Sequence, residues 1–456
     1  MVNNIKPIEV TREPVLTTNG DKKWLIVKEE KVFPVDENKT IKEIVKEDRE
    51  AEAKNVFQLM DPNLWQCNKC GNVMHANPDA PVFCPQDQGG CNRASTFKRV
   101  TKPINNVWVL PIWEDIDYEG MLLYQDMYNL IKNLIVFPQE IHYKIFTLWI
   151  ISTWKADCFD AVGFPVFRGI ISSGKTRALN IIRELGYRVV SASSATFPAI
   201  ATLSHYWNVT LTIDEADNRL NPKYERGSEL LDFVKQSYKQ GSMYVVSDMD
   251  HKDQVIARNN FGFKAFAGEK TFNSALVSRG IDIFMEKSDP PCQKMKYLVL
   301  DFEKLRTRLL NYKYKTGCPP DLGEDFVLKG RLREVYESII RVAIHLGQET
   351  NDIIEFAKQK EKEEEEDLKT SIQHDIMLAM LRSSENETLD DAPEMVYVKD
   401  LVDAIGWGDE KRATQKLGYI LKNMGLKTVR RKDGTVIPFT GSNEHRIKYL
   451  YNRYKV

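Results

Sequence analysis

Gly169-Ile170-Ile171-Ser172-Ser173-Gly174-Lys175-Thr176 sets two glycines four residues apart and follows them with Lys and Thr, the pattern of a phosphate-cradling P-loop. The chemistry follows from the residue types. Glycine lets the backbone curl, so that N–H groups of the loop, Ser172 and Ser173 included, converge on phosphate oxygens. Lys175 brings a compact cation to the β and γ phosphates of ATP, and the Thr176 hydroxyl can ligate Mg2+. Further along, Asp214-Glu215-Ala216-Asp217 closes a β-prone run at 209–213. Two adjacent carboxylates at a strand end suit one metal-holding group, Asp214, and one general base for water, Glu215. Together the two motifs imply hydrolysis of ATP.

A second cluster is Cys67-Asn68-Lys69-Cys70, followed by Cys84 and Cys91. Two pairs of thiolates separated by enough chain for a hairpin satisfy tetrahedral zinc, and four sulfurs close the site, which makes it structural. His75 competes as a ligand but is not needed. Cys158, Cys292 and Cys318 show no spacing pattern and are read as inert. The first ten residues carry no apolar export core, so the expected compartment is a reducing cytoplasm, in which thiols bind metal or stay free. No stretch approaches the roughly 20 apolar residues that span a bilayer, so no membrane partner is expected.

These residues need a scaffold that holds them at one edge. An apolar run at 164–167 precedes the loop and a helix-compatible stretch at 177–184 follows it, so the loop opens a helix N-terminus. Short β-rich runs at 188–191, 209–213, 261–267 and 281–285 alternate with helices, which predicts a parallel sheet with Asp214 and Glu215 on a strand beside the P-loop strand. A helical lead-in covers 118–154, with Tyr124, Met127, Ile131 and Leu134 at helical spacing. A helical lid covers 298–346, with Val335, Ile339, Val342, Ala343 and Leu346 on its apolar face. The charged run 361–367 is a solvated linker or helix extension, and 37–54 reads as an exposed helix. The expected divisions are an N-terminal region at 1–105 with a zinc ribbon at 67–91, a lead-in at 106–160, an α/β core at 161–295, a lid at 296–355, a linker at 356–370 and a C-terminal domain at 371–456.

Two further segments carry cations. Strand-like runs at 242–246 and 254–258 flank a polar tip holding His251 and Lys252, which reads as a hairpin. In the last domain, helices at 372–382, 398–405 and 410–424 precede a hairpin at 429–437 turning on Asp433-Gly434, an order that resembles a winged helix. Leu417, Ile420, Leu421 and Met424 face inward, leaving Lys411, Arg412, Lys416 and Lys422 for phosphates, with Arg430, Arg431 and Lys432 on the wing. From 411 onward twelve Lys or Arg stand against Asp433 and Glu444, in a chain whose net charge is only −1. So local an excess suits a polyanion partner.

At 168–183, 211–217, 263–268 and 276–281 the chain resembles the AAA+ ATPase module of replicative helicases from plasmids, phages and integrative elements, which are similar to minichromosome-maintenance helicases. That resemblance implies a multidomain α/β protein: an AAA+ P-loop core with helical lid, an N-terminal zinc ribbon and a C-terminal winged helix. It implies that Arg279 is an arginine finger acting on a neighbour's γ phosphate, and that Arg331 and Arg333 serve as a second sensor reaching a γ phosphate. It also implies that the hairpin tip with His251 and Lys252 meets DNA in a central pore. Where that family places an Asn at the end of the fourth strand to orient water, this chain reads Ala267-Gly268-Glu269-Lys270, leaving Lys270 or Asn273 as the first sensor. The resulting expectation is an ATP-driven DNA helicase or translocase, replicative, acting on single-stranded or forked DNA as a homo-oligomeric ring, taken as a hexamer, with ATP, Mg2+ and Zn2+. An AAA+ helicase loader or protein remodeller would share every ATP-site residue. An ATP-regulated DNA-binding initiator is the remaining alternative.

Overall fold

The computed structural model describes residues 10–19, 21–32, 52–60, 64–69, 73–75, 83–84, 91, 93–94, 97–99, 107–116, 120–247, 255–270, 272, 274–287, 294–382, 394–408 and 412–454. The chain forms two compact units, 1–353 and 354–456.

The first unit begins with an antiparallel three-stranded sheet of β1 (Val10–Leu16), β2 (Lys22–Val32) and β3 (Glu52–Met60). The helix expected at 37–54 meets β3 at its last three residues, and the remainder lies outside the described residues. Trp24-Leu25-Ile26-Val27 gives β2 a β-prone centre, and ladder pairing with β3 outweighs the weak helical pattern of a charged stretch. Short strands follow: β4 (Leu64–Cys67), β5 (Val73–His75), β6 (Phe83–Cys84), β7 (Arg93–Ala94) and β8 (Phe97–Arg99). They pair β5-β4-β8 and β6-β7, all antiparallel.

Helices α1 (Gly120–Leu134) and α2 (Glu140–Thr153) lead into the core sheet. Its strands are β9 (Phe164–Gly169), β10 (Val189–Ser191), β11 (Thr210–Ile213), β14 (Lys264–Gly268) and β15 (Gly280–Met285). All neighbours are parallel, in the order β10-β11-β14-β9-β15. The residues of β11 and β14 are buried throughout, as they must be where helices cover both faces of a parallel sheet. The chain crosses over through α3 (Lys175–Leu185), α4 (Phe197–Trp207), the single turn α5 (Ala216–Arg219), α6 (Glu225–Gln236) and the single turn α7 (Ser274–Val277). The strand bearing Asp214 is therefore not beside the P-loop strand, as expected from sequence; β14 lies between them. Lateral order is set by how the chain returns after α6, which no local pattern records. One intervening strand puts β11 roughly 10 Å from β9, which opens space for phosphates between them.

The hairpin of β12 (Met243–Ser247) and β13 (Val255–Asn259) is present, with Val245 opposite Ala257; its tip, including His251 and Lys252, lies outside the described residues. Beyond the sheet, α8 (Val299–Lys315) packs on α1 and α3, and α9 (Gly330–His345) packs on α2. Val335, Ile339, Val342, Ala343 and Leu346 are all buried. Gly163 stands just before β9, and any side chain there would collide with the Val335 carbonyl, so α9 lies against the N-terminal end of that strand. Cys158 and Cys318 form a disulfide, with Cα atoms 5.6 Å apart. Read from sequence as inert, these cysteines are 160 residues apart, a separation at which spacing carries no signal. No described helix is long and apolar enough to cross a membrane.

Lys264 is fully enclosed at the start of β14, its Nζ donating to the carbonyls of Asn260 (3.1 Å) and Gly262 (2.8 Å). Burial lowers its pKa from 10.5 to about 7. Lys155 is likewise lowered to about 7, by burial and then by Lys313. Between these values the unfolded chain holds protons that the folded chain has lost, so stability should rise with pH from about 7 toward 10.5, by up to about 1.4 kcal/mol per pH unit for each lysine. Below pH 7 both states are protonated and the cost of burying the charge is fully present. Urea unfolding at pH 7, 8 and 9 should therefore give a shallower rise for Lys264→Met than for the wild type. Parallel curves would mean that Lys264 stays charged inside.

The second unit contains α11 (Ile372–Arg382), β16 (Met395–Tyr397), α12 (Val398–Ala404), α13 (Ala413–Asn423), β17 (Val429–Arg431), β18 (Gly434–Pro438) and α14 (Ser442–Tyr454), and the division from the first unit falls within α10 (Asn351–Lys369). Its antiparallel sheet runs β16-β18-β17, and Leu417 and Leu421 of α13 and Met424 just after it enter a core with Ile437, Ile447 and Leu450. The hairpin turns on Lys432-Asp433, one residue earlier than expected, because Arg431 pairs with Gly434 inside the ladder. Strand β16 and helix α14 had no counterpart in the sequence reading.

Candidate active site

The P-loop leaves the C-terminal end of β9 and runs into α3. Gly169 (φ 153°) and Gly174 (φ 96°) hold backbone conformations that favour glycine, and a side chain at Gly169 would strike the Met285 carbonyl. Lys175 opens α3 nearly buried, its Nζ donating to the carbonyls of Gly169 and Ile170, each at 2.7 Å. Ser173 Oγ is enclosed without a hydrogen-bond partner. A buried hydroxyl with nothing to bind costs about 1–3 kcal/mol, and a phosphate oxygen would satisfy it.

Across the sheet edge the Thr176 hydroxyl donates to Asp214 Oδ2 at 2.9 Å. These are the two residues expected to hold Mg2+, and the fold brings them together from α3 and β11. Asp214 Oδ1 also accepts from the backbone N–H of Glu215 at 3.0 Å, which fixes the carboxylate. Glu215 is exposed and held at φ 50°, and Ser172 at φ 65°. Left-handed backbone at non-glycine residues costs about 1–3 kcal/mol each and concentrates at functional sites. The arrangement can bind a Mg2+–triphosphate between P-loop and β11, with Glu215 beside the place where water would attack.

Asp217, for which no role is expected from the motif, belongs to this edge as well. A side chain at Gly268, the last residue of β14, would come within 2.8 Å of Asp217 Oδ1 and of Phe272 Cζ. The space beside that position is thus already filled, which explains the glycine. Lys270 is exposed and donates its backbone N–H to Asp217 Oδ2 at 3.3 Å; Asn273 lies outside the described residues.

Arg279, Arg331 and Arg333 are not brought to this P-loop. Arg279 immediately precedes β15, its carbonyl accepting from Phe164 N at 3.1 Å, so it stands at the N-terminal edge of the sheet. With six residues at about 3.3 Å each, β9 separates that edge from Gly169 by roughly 17 Å. Arg331 and Arg333, in the first turns of α9, share the same edge. Arg333 is engaged by Glu337 (3.3 Å) and by the carbonyls of Leu322 (2.6 Å) and Gly323 (3.2 Å), a loop-holding arrangement. This edge also borders a cavity of about 810 Å3 lined in part by Asp160, Lys239, Glu334 and Glu337, far from the P-loop.

Of the expected zinc ligands, Cys67 is buried at the end of β4, Cys84 lies in β6 and Cys91 is half-buried, while Cys70 lies outside the described residues. Among the described residues no three metal-binding side chains gather. In the second unit Arg412, Lys416, Arg430, Arg431 and Lys432 are exposed, with Lys416 Nζ 3.9 Å from the Trp407 ring centroid; Lys411 lies outside the described residues.

No family model matches the chain, and no curated protein matches it. Among solved structures, one described as SCCmec type IV Cch, an active helicase, is 11% identical, with 98% of this chain and 86% of that chain covered and a TM-score of 0.34. Cdc6p from Pyrobaculum aerophilum is 13% identical, covering 70% of this chain and 95% of its own, with a TM-score of 0.21. A JCV helicase is 13% identical, covering 50% and 68%, also with a TM-score of 0.21. Overlaps this loose assign neither fold family nor function.

Proposed function

We propose that this protein is a Mg2+-dependent AAA+ ATPase that moves on DNA as a helicase or translocase, assembled as a ring of identical chains. The observation that carries the ATPase reading is the 2.9 Å hydrogen bond joining Thr176 to Asp214 across the P-loop, with Glu215 strained beside it. The sheet order supports it, since the strand inserted between β9 and β11 leaves room for the phosphates. The ring reading rests on Arg279, which faces away from its own P-loop. The DNA reading rests on the second unit. Its order of helix, strand, two helices and hairpin suits a winged helix, with exposed Arg430, Arg431 and Lys432 on the wing and Arg412 and Lys416 at α13.

A structural zinc held by Cys67, Cys70, Cys84 and Cys91 follows from ligand spacing; metal analysis returning no zinc would remove it. The function itself is tested with forked DNA bearing either a 3′ or a 5′ tail. ATP-dependent strand separation is expected on one of the two, and it should disappear in Glu215→Gln, which keeps the side-chain shape but not the base. DNA binding without strand separation on either fork would favour an initiator, and turnover indifferent to DNA would favour a remodeller.

A further inference from the structure

Tyr238 follows α6 at the N-terminal edge of the sheet, where no motif points to it. Its carbonyl accepts from Val162 N at 2.9 Å, and the next residue, Lys239, bridges to Ala161, so its backbone is fastened to the chain just ahead of β9. The guanidinium carbons of Arg279 and Arg331 each lie 4.7 Å from the centroid of its ring. One aromatic ring thus gathers two cations from different segments, the turn between α7 and β15 and the start of α9.

We propose that Tyr238 is a positioning residue whose ring holds Arg279 and Arg331 as a paired cation site for the terminal phosphate of the nucleotide bound by a neighbouring copy. The proposal rests on the reading of Arg279 as acting between chains. The electrostatics leave that pair short of anions. Glu334 meets Arg331 at 3.5 Å but also Lys239 at 3.3 Å, so one carboxylate is divided between two cations. Arg279 donates one N–H to the Ala275 carbonyl, while its Nε is enclosed without a partner. Two like charges on one ring repel each other unless an anion joins them, and a γ phosphate supplies charge and acceptors together. The aromatic face supplies direction without neutralising either charge, which a carboxylate in its place would do.

The test is steady-state ATP hydrolysis by the assembled full-length protein. Tyr238→Leu should lower kcat about tenfold with KM for ATP within twofold, whereas Tyr238→Phe, which keeps the ring, should retain most of the turnover. Because Tyr238 acts through Arg279 and Arg331, Tyr238→Leu introduced into the Arg279→Ala/Arg331→Ala double variant should slow it no further. If Tyr238→Leu fails to assemble, Tyr238→Met serves as the non-aromatic variant. Unchanged kcat in the non-aromatic variant, Phe as slow as Leu, or losses that multiply in the triple variant would each overturn the proposal. If Arg279→Ala alone leaves turnover intact, the reading of Arg279 fails first.

Discussion

Lys175→Ala should lose ATP binding, with affinity falling roughly a hundredfold or more in a fluorescent-nucleotide titration. The ammonium is the compact cation directed at the β and γ phosphates, and charge-assisted hydrogen bonds in a largely buried setting are among the strongest the protein makes. The same substitution strips the carbonyls of Gly169 and Ile170 of their donor, so the loop itself should loosen. Lys175→Met loses the charge and both donors as alanine does but keeps the length of the stem, so it separates loss of the ammonium from the space that alanine leaves. Affinity retained in both variants would mean that phosphates do not sit in this loop.

Arg279→Ala should leave ATP affinity within a few-fold while lowering turnover by roughly a thousandfold, the range that arginine fingers supply. Placement of Arg279 at the far end of the sheet from Gly169 makes the mixing experiment decisive. A chain carrying Lys175→Ala still presents its finger, and a chain carrying Arg279→Ala still presents its P-loop. Mixed assemblies should therefore recover part of the activity that neither has alone. Verified mixed assemblies that stay inactive would show that Arg279 serves its own chain.

The strands that build the ATP site were legible because each is a short β-prone run bounded by helix or turn signals. The runs at 209–213 and 281–285 fall within a residue of β11 and β15. What could not be read was lateral: the insertion of β14 between β9 and β11 depends on a path through α6 and the hairpin, and pairing order has no local signature. The N-terminal sheet was missed because charged residues cluster at both ends of β2 and at the start of β3 and mask their β-prone centres. Gly268 looked like a departure from a pattern, and only the position of Asp217 shows why no larger residue fits there. Tyr238 is invisible in sequence, since its role comes from two arginines that lie far from it along the chain.

The Cys158–Cys318 disulfide has a topological consequence. The covalent loop it closes contains all five strands of the core sheet, from Phe164 to Met285, together with the P-loop and Arg279. In the chain-entropy account a loop of 160 residues restricts the unfolded ensemble by about 5 kcal/mol. Once oxidised, the ATPase core is a knot-free but endless ribbon: a protease cutting anywhere within it linearises the loop without releasing a fragment. Singly nicked protein should stay one covalent species of undivided mass under denaturing, non-reducing conditions, and fall into two pieces only when thiol is added.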